Sequence, residues 1–207
     1  MKLLFLKGEK PMNNIKKSIL AGIMISIGGI AYLSIESKII GSLLFSFGLI
    51  TILYQGYNLF TGRVGYIHKK YSCYNLCITL IWNCISASII GFICSSWLRD
   101  KALYIVENKL LISPVEVFVR SIFCGIIIYV AVELFNKDKT GIWTPICIML
   151  FILCSFEHCI ADTFYFSTAK LISWKVIQFI FITIIGNSIG SIVTYRLGRD
   201  KTNAIKK

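Results

Sequence analysis

Long apolar runs alternate with short polar connectors along the whole chain. Six of the runs reach or approach the ~20 residues that an α-helix needs to cross a bilayer. They predict membrane helices at Ile15–Ser34, Lys38–Phe60, Leu76–Leu98, Val115–Phe135, Ile142–Phe166 and Trp174–Leu197. No connector is long enough to hold a soluble domain, so residues 1–207 read as a single all-α integral membrane domain. Glycine and serine recur inside the runs, and small residues there let helices approach closely in lipid. The first run follows a basic segment but is too long for a signal-peptide core. No small-residue cleavage motif follows it, so it counts as a span.

Two blocks repeat at nearly one offset. Ser18-Ile19-Leu20-Ala21-Gly22-Ile23-Met24-Ile25 in span 1 resembles Ser121-Ile122-Phe123-Cys124-Gly125-Ile126-Ile127-Ile128 in span 4, 103 residues later. Asn83, in Trp82-Asn83-Cys84-Ile85-Ser86 of span 3, corresponds to Asn187 in span 6 at an offset of 104. The halves, about 15–98 and 115–197, therefore read as one three-helix unit used twice. A unit with an odd number of crossings has its second copy inverted. Inverted repeats build transporters and channels whose pathway lies near the midplane, where helices break.

Composition agrees with the spans. Apolar residues make up 56% of the 207 and charged ones 15%, against about 25% charged in an ordinary soluble domain; the mean hydropathy is +0.74. A soluble enzyme, a secreted disulfide scaffold and a disordered tail are excluded. The net charge of +12 sits between the spans rather than in a groove-sized patch, which points to membrane topology and away from nucleic acid. Six spans put both termini on one side, and 15 of the 22 Lys and Arg fall there, predicting cytoplasmic termini. The remaining seven include Lys38, Lys109 and Arg120. The eight cysteines lie almost wholly within apolar runs with no Cys-x-x-Cys pair, and His68 and His158 are far apart, so neither a metal site nor a cofactor is expected. His68-Lys69-Lys70 reads as a cytoplasmic loop.

Ionisable groups inside spans are costly and mark pathways or proton relays. They concentrate in span 5, where Glu157, His158 and Asp162 interrupt Phe, Ile and Cys. The matching part of the first half is Gln55-Gly56-Tyr57-Asn58-Leu59-Phe60-Thr61-Gly62-Arg63. Glycine and polar residues there predict that spans 2 and 5 are broken, which is tolerable only where a cavity or protein partners satisfy the freed backbone.

Leu59-Phe60-Thr61-Gly62, Phe156-Glu157-His158-Cys159-Ile160-Ala161 and Gly186-Asn187-Ser188-Ile189-Gly190 resemble the three signature blocks of the formate/nitrite transporter family. Ala21-Gly22 with Ile27-Gly28-Gly29, and Phe118-Val119-Arg120-Ser121-Ile122-Phe123-Cys124, are similar to it as well. The resemblance implies an aquaporin-like six-helix protomer, a homopentamer in the lipid of a bacterial cytoplasmic membrane, and one path per protomer. It implies passage of small monovalent weak-acid anions such as formate, nitrite, hydrosulfide or lactate, often with a proton. It also implies that His158 faces the pore between apolar constrictions, that Thr61 lies opposite, and that Lys109 lines the outer vestibule. Leu59, Phe60 and Phe156, in the same blocks, are assigned to the pathway with them.

Elementary physics gives these groups work to do. Desolvating an ion is expensive even after relaxation. A basic vestibule concentrates the anion, and a low-dielectric entrance favours its neutral acid. An imidazole midway can exchange a hydrogen bond or a proton, and the Thr61 hydroxyl can hold a carboxylate. Glu157 is expected to satisfy backbone donors or a neighbouring helix, and Asn83 and Asn187 to hydrogen-bond the broken segments. Arg120 is expected to anchor the start of span 4 to a carbonyl or headgroup.

Three positions depart from the family. Tyr57-Asn58 stands where glutamate is common. Arg63 replaces an asparagine; it either attracts anions or anchors the cytoplasmic face, and the charge bias favours the anchor. Asp162 also replaces an asparagine. On a helix it lies on the face of His158, four residues away, and favours the imidazolium; alternatively it faces an aqueous exit and is screened. A neutral-solute pore and a transport-inactive homologue stay open as alternatives. A membrane hydrolase using Glu157 and His158 would lack both His-Glu-x-x-His and Gly-x-Ser-x-Gly.

Overall fold

The structure, a computed structural model, describes residues 11–67 and 70–204; His68 and Lys69 of the expected loop, and the terminal Lys2, Lys7, Lys10, Lys206 and Lys207, lie outside them. The order is α1 (Pro11–Ser34), α2 (Lys38–Gln55), α3 (Phe60–Arg63) with a 3₁₀ turn (Val64–Tyr66), α4 (Cys73–Leu111), α5 (Pro114–Asp138), α6 (Trp143–Leu153), α7 (Cys159–Thr168) and α8 (Trp174–Ala204). Serine caps fix three of the starts. Ser37, Ser72 and Ser113 accept from the backbone N–H groups of Ile40, Asn75 and Glu116, satisfying donors that a helix leaves open at its first turn.

Helices α1, α2, α4, α5 and α8 are each long and apolar enough to cross a membrane. The shorter α6 continues beyond a break as α7 and completes the six. The chain is an all-α, multi-pass membrane protein. Two boundaries differ from expectation. Span 2 does not finish at Phe60 but resumes there as α3 and runs on to Tyr66. Span 3 does not finish at Leu98, because α4 continues to Leu111. Exposed Arg99, Asp100 and Lys101 mark only where the helix leaves the apolar layer. Leu98, Ala102 and Val106, spaced four apart, stay buried along one face and carry the helix onward.

The two halves pack by similar pairings. Helix α1 lies along α2 and α4, and α5 lies along α6 and α8; α4 against α7 and α2 against α6 join the halves. Glycine permits the closest approaches. A Cβ on Gly22 would stand 2.5 Å from the Asn83 carbonyl oxygen, and one on Gly125 would stand 2.3 Å from that of Asn187. The same two asparagines build the centre of the molecule.

Candidate functional site

Both breaks are built alike. Helix α2 stops at Gly56, whose φ is +65°; the N–H of Tyr57 then donates back to Ile52 O at 3.0 Å. Helix α6 gives way at Ser155, whose φ is +54°, and the N–H of Phe156 donates to Phe151 O at 2.9 Å. Such backward bonds satisfy the carbonyls that a terminating helix would leave bare. Leu59 and His158 are extended and lead into α3 and α7.

A buried asparagine closes each break. Asn83 Oδ1 accepts from Phe60 N–H at 2.9 Å, and its Nδ2 donates to Ser18 O at 2.7 Å and Asn58 O at 2.9 Å. Asn187 Oδ1 accepts from Cys159 N–H at 3.0 Å, and its Nδ2 donates to Ser121 O at 2.9 Å and Glu157 O at 2.8 Å. Each clamp ties the start of a half-helix to the helix beside it, using all three hydrogen bonds that the amide geometry offers most readily.

The two half-helices bring Thr61 and His158 together. Thr61 Oγ1 and His158 Nε2 are 2.8 Å apart, and both residues are buried. His158 Nδ1 accepts from Ala161 N–H at 3.2 Å. That bond assigns the proton of the neutral ring to Nε2, which donates to the Thr61 oxygen. Phe151 stands beside the imidazole with centroids 6.1 Å apart, and Phe45 meets Phe151 edge to face at 5.9 Å.

Cavities open on either side of this pair. The larger, about 380 Å³, is lined by Lys38, Lys109, Arg120, Glu157, His158 and Asp162 together with aromatic side chains that include Phe45, Phe151 and Phe156. The smaller, about 40 Å³, is lined by Leu49, Leu59, Arg63, Tyr66, Lys70 and Tyr71 among others. Between them Ile25, Phe45, Leu49, Leu59, Ile128, Ile148 and Phe151 close around His158 and leave no room for water. Sequence reasoning missed most of this neck, because its residues sit in ordinary apolar runs; only Leu59 lay within a recognised block.

Charge in the larger cavity is paired. Lys109, at the end of α4 rather than in a loop, binds Glu157 and lies 3.0 Å from Asp162 Oδ1. Both carboxylates are buried. Glu157 thus meets a cation from a neighbouring helix instead of backbone donors. Asp162 lines the larger cavity but is itself buried, and it engages Lys109 rather than the imidazole. The reason is local. His158 is the extended cap of α7, so the helical register that would stack the two side chains begins only after it. Arg120 reaches Glu116 at 2.5 Å and the Ser155 carbonyl at 3.4 Å.

Arg63 corrects the favoured reading of its role. It is 5% exposed, lines the smaller cavity and stacks over Tyr71 at 4.7 Å, so it is not an anchor at the membrane surface. Phe156 stacks on Phe123 at 5.4 Å beside the larger cavity. Phe60 is buried and lines none of these spaces. Among the described residues, no group of three His, Cys, Asp or Glu is placed to hold a metal ion.

A comparison with known families matches residues 7–198 to the formate/nitrite transporters. The chain belongs to that family. No curated protein matches this formate/nitrite transporter family member, but solved structures do. A pentameric formate channel with formate bound is 22% identical, over 94% of this chain and 96% of that one, with a TM-score of 0.74. A second similar structure, an ion channel of the same family, is 17% identical over 93% of this chain and 91% of its own, with a TM-score of 0.76. At these identities the likeness establishes a shared fold.

Proposed function

We propose that this member of the formate/nitrite transporters passes small monovalent weak-acid anions, formate and nitrite first among them, together with a proton. The observation that carries the reading is a dry neck around His158 with a cation-bearing cavity on each side. An anion cannot enter such a neck with its charge and without its water except at a cost of several kcal/mol. Protonation removes that cost.

The residues divide the work. Lys38 and Arg120 bring positive charge to the larger cavity, which concentrates anions at its mouth. The hydroxyl of Thr61, whose oxygen accepts from His158 Nε2–H, offers its own proton to an oxygen of the substrate arriving at the neck. Leu59, Leu49 and Phe151 exclude water, so the acid crosses neutral. Arg63 and Lys70 then meet the anion that the acid becomes on leaving. No step alters the substrate covalently beyond the proton, so the protein works as a transporter and not as an enzyme. By the charge bias the larger cavity faces outwards and both termini face the cytoplasm of a bacterial cell. The pentamer of the similar formate channel supports a homopentamer here, with one path in each protomer.

A second reading, a pore for neutral solutes, draws on the pairing of Lys109 with two carboxylates. One experiment separates the two. Vesicles containing the purified protein and a trapped pH dye receive pulses of formate, nitrite, hydrosulfide, lactate or ammonium. The proposal predicts a fast acid transient with at least one of the anions, altered in His158→Ala. Transients no faster than those of empty vesicles would refute it, and a fast alkaline response confined to ammonium would establish the neutral pore.

A further inference from the structure

We infer that Asp162 is the proton-loading group of the outer cavity: it takes a proton from outside and delivers it to the anion held at Lys109. This rests on the weak-acid reading above and names the residue that supplies the proton.

Two observations carry it. Lys109 is shared by two buried carboxylates, Glu157 and Asp162, so with both ionised the cluster holds one negative charge too many. Asp162 is 1% exposed, yet its Oδ2 has no hydrogen-bond partner while the residue lines a cavity of about 380 Å³. A bare carboxylate oxygen accepts donors; it repels anions.

Charged and titratable groups face the cluster from all sides. Tyr32 comes from α1, Lys38 from α2, Tyr104 and Lys109 from α4, and Arg120 from α5. Glu157 and His158 come from the break and Tyr165 from α7; the thiols of Cys124 and Cys159 are also near enough to feel Asp162. None of these except Glu157 is a second carboxylate, and Glu157 is bound to Lys109. Uptake of one proton by the pair therefore makes the cluster neutral, and the carboxylate oxygen without a hydrogen-bond partner to receive it is Asp162 Oδ2.

The step balances. A proton from the outer solution forms an O–H bond at Asp162 Oδ2, and the grip of Asp162 on Lys109 weakens. The ammonium then has a donor free for an incoming anion, and the Asp162 O–H points at the same anion. That O–H breaks as an O–H forms on the anion, and nothing is oxidised or reduced. Asp162, ionised again, returns to Lys109, and the neutral acid leaves for the neck beside His158.

The test varies external pH in vesicles at constant formate, over a range in which formate itself stays ionised. In the wild type the uptake rate levels off at low pH, because a bound group saturates with protons. In Asp162→Asn the plateau disappears, uptake keeps rising about tenfold per pH unit, and at neutral pH it lies at least tenfold below the wild type. Asp162→Glu restores the plateau. Infrared difference spectra on acidification give a carboxylic acid carbonyl band in the wild type that Asp162→Asn lacks. An unchanged thermal melt verifies that Asp162→Asn keeps the fold. An Asp162→Asn variant that keeps the wild-type pH profile, or the infrared band, overturns the inference. If the wild type moves none of the acids, the weak-acid reading itself falls and takes this one with it.

Discussion

Replacing Asn187 with alanine should loosen the second break. Three bonds disappear: Cys159 N–H loses its acceptor, and Glu157 O and Ser121 O lose a donor. Ser121 lies within α5 and keeps its helical partner, so two groups are orphaned rather than three. A buried unsatisfied group costs about 1–3 kcal/mol, while an interhelical bond in a membrane protein averages about 0.6 kcal/mol. Together these give a loss of roughly 3–7 kcal/mol, the low end applying where water enters from the larger cavity. The assay is unfolding in mixed detergent micelles, followed by circular dichroism. Asn83→Ala, which deletes the same three kinds of bond in the first half, should match it within about 1 kcal/mol. Ile189→Ala, at a 38% exposed position next to the clamp, serves as the control. An Asn187→Ala protein within about 0.5 kcal/mol of that control would refute the clamp.

Thr61→Val removes the acceptor of His158 Nε2–H and should cost about 1–3 kcal/mol in the same unfolding assay, with a changed formate rate in vesicles; an unchanged melt and rate would contradict a role for that hydrogen bond. Gly125→Ala drives a methyl to 2.3 Å from Asn187 O and should destabilise by about 1–3 kcal/mol, read from the same denaturation curves. Arg63→Met should raise the KM for formate presented at the cytoplasmic face about fivefold, the equivalent of ~1 kcal/mol, measured in inside-out vesicles and with the outer-face KM as reference.

Much of the plan was legible because the bilayer demands it. Backbone groups in lipid need partners, so Gly56 with its polar neighbours, and Glu157-His158 within an apolar run, announced the breaks. The matched Asn83 and Asn187 stood out as amides deep in apolar spans. Hydropathy failed where helix and membrane part company. The outer third of α4 is polar on its exposed side and helical all the same, so Lys109 looked like a loop residue. The resumption of span 2 after Phe60 was hidden because Thr61, Gly62 and Arg63 resemble a span end, yet Thr61 and Arg63 are buried. The neck was invisible for the opposite reason: Phe45, Leu49 and Phe151 look like any other core residues until two broken helices set them opposite His158. The pairing of Asp162 with Lys109 depends on where α7 starts its helical register, which sequence spacing does not reveal.

The central claim is that acid crosses through the neck within each protomer. Uptake of isotopically labelled formate by vesicles, comparing the wild type with Leu49→Trp, tests it most directly. The indole would fill the dry segment between Leu59 and His158, and a melt close to that of the wild type would show that the fold is kept. The account predicts fast uptake by the wild type and uptake indistinguishable from empty vesicles by the variant. Equal uptake by the two proteins would place the path elsewhere and contradict the account.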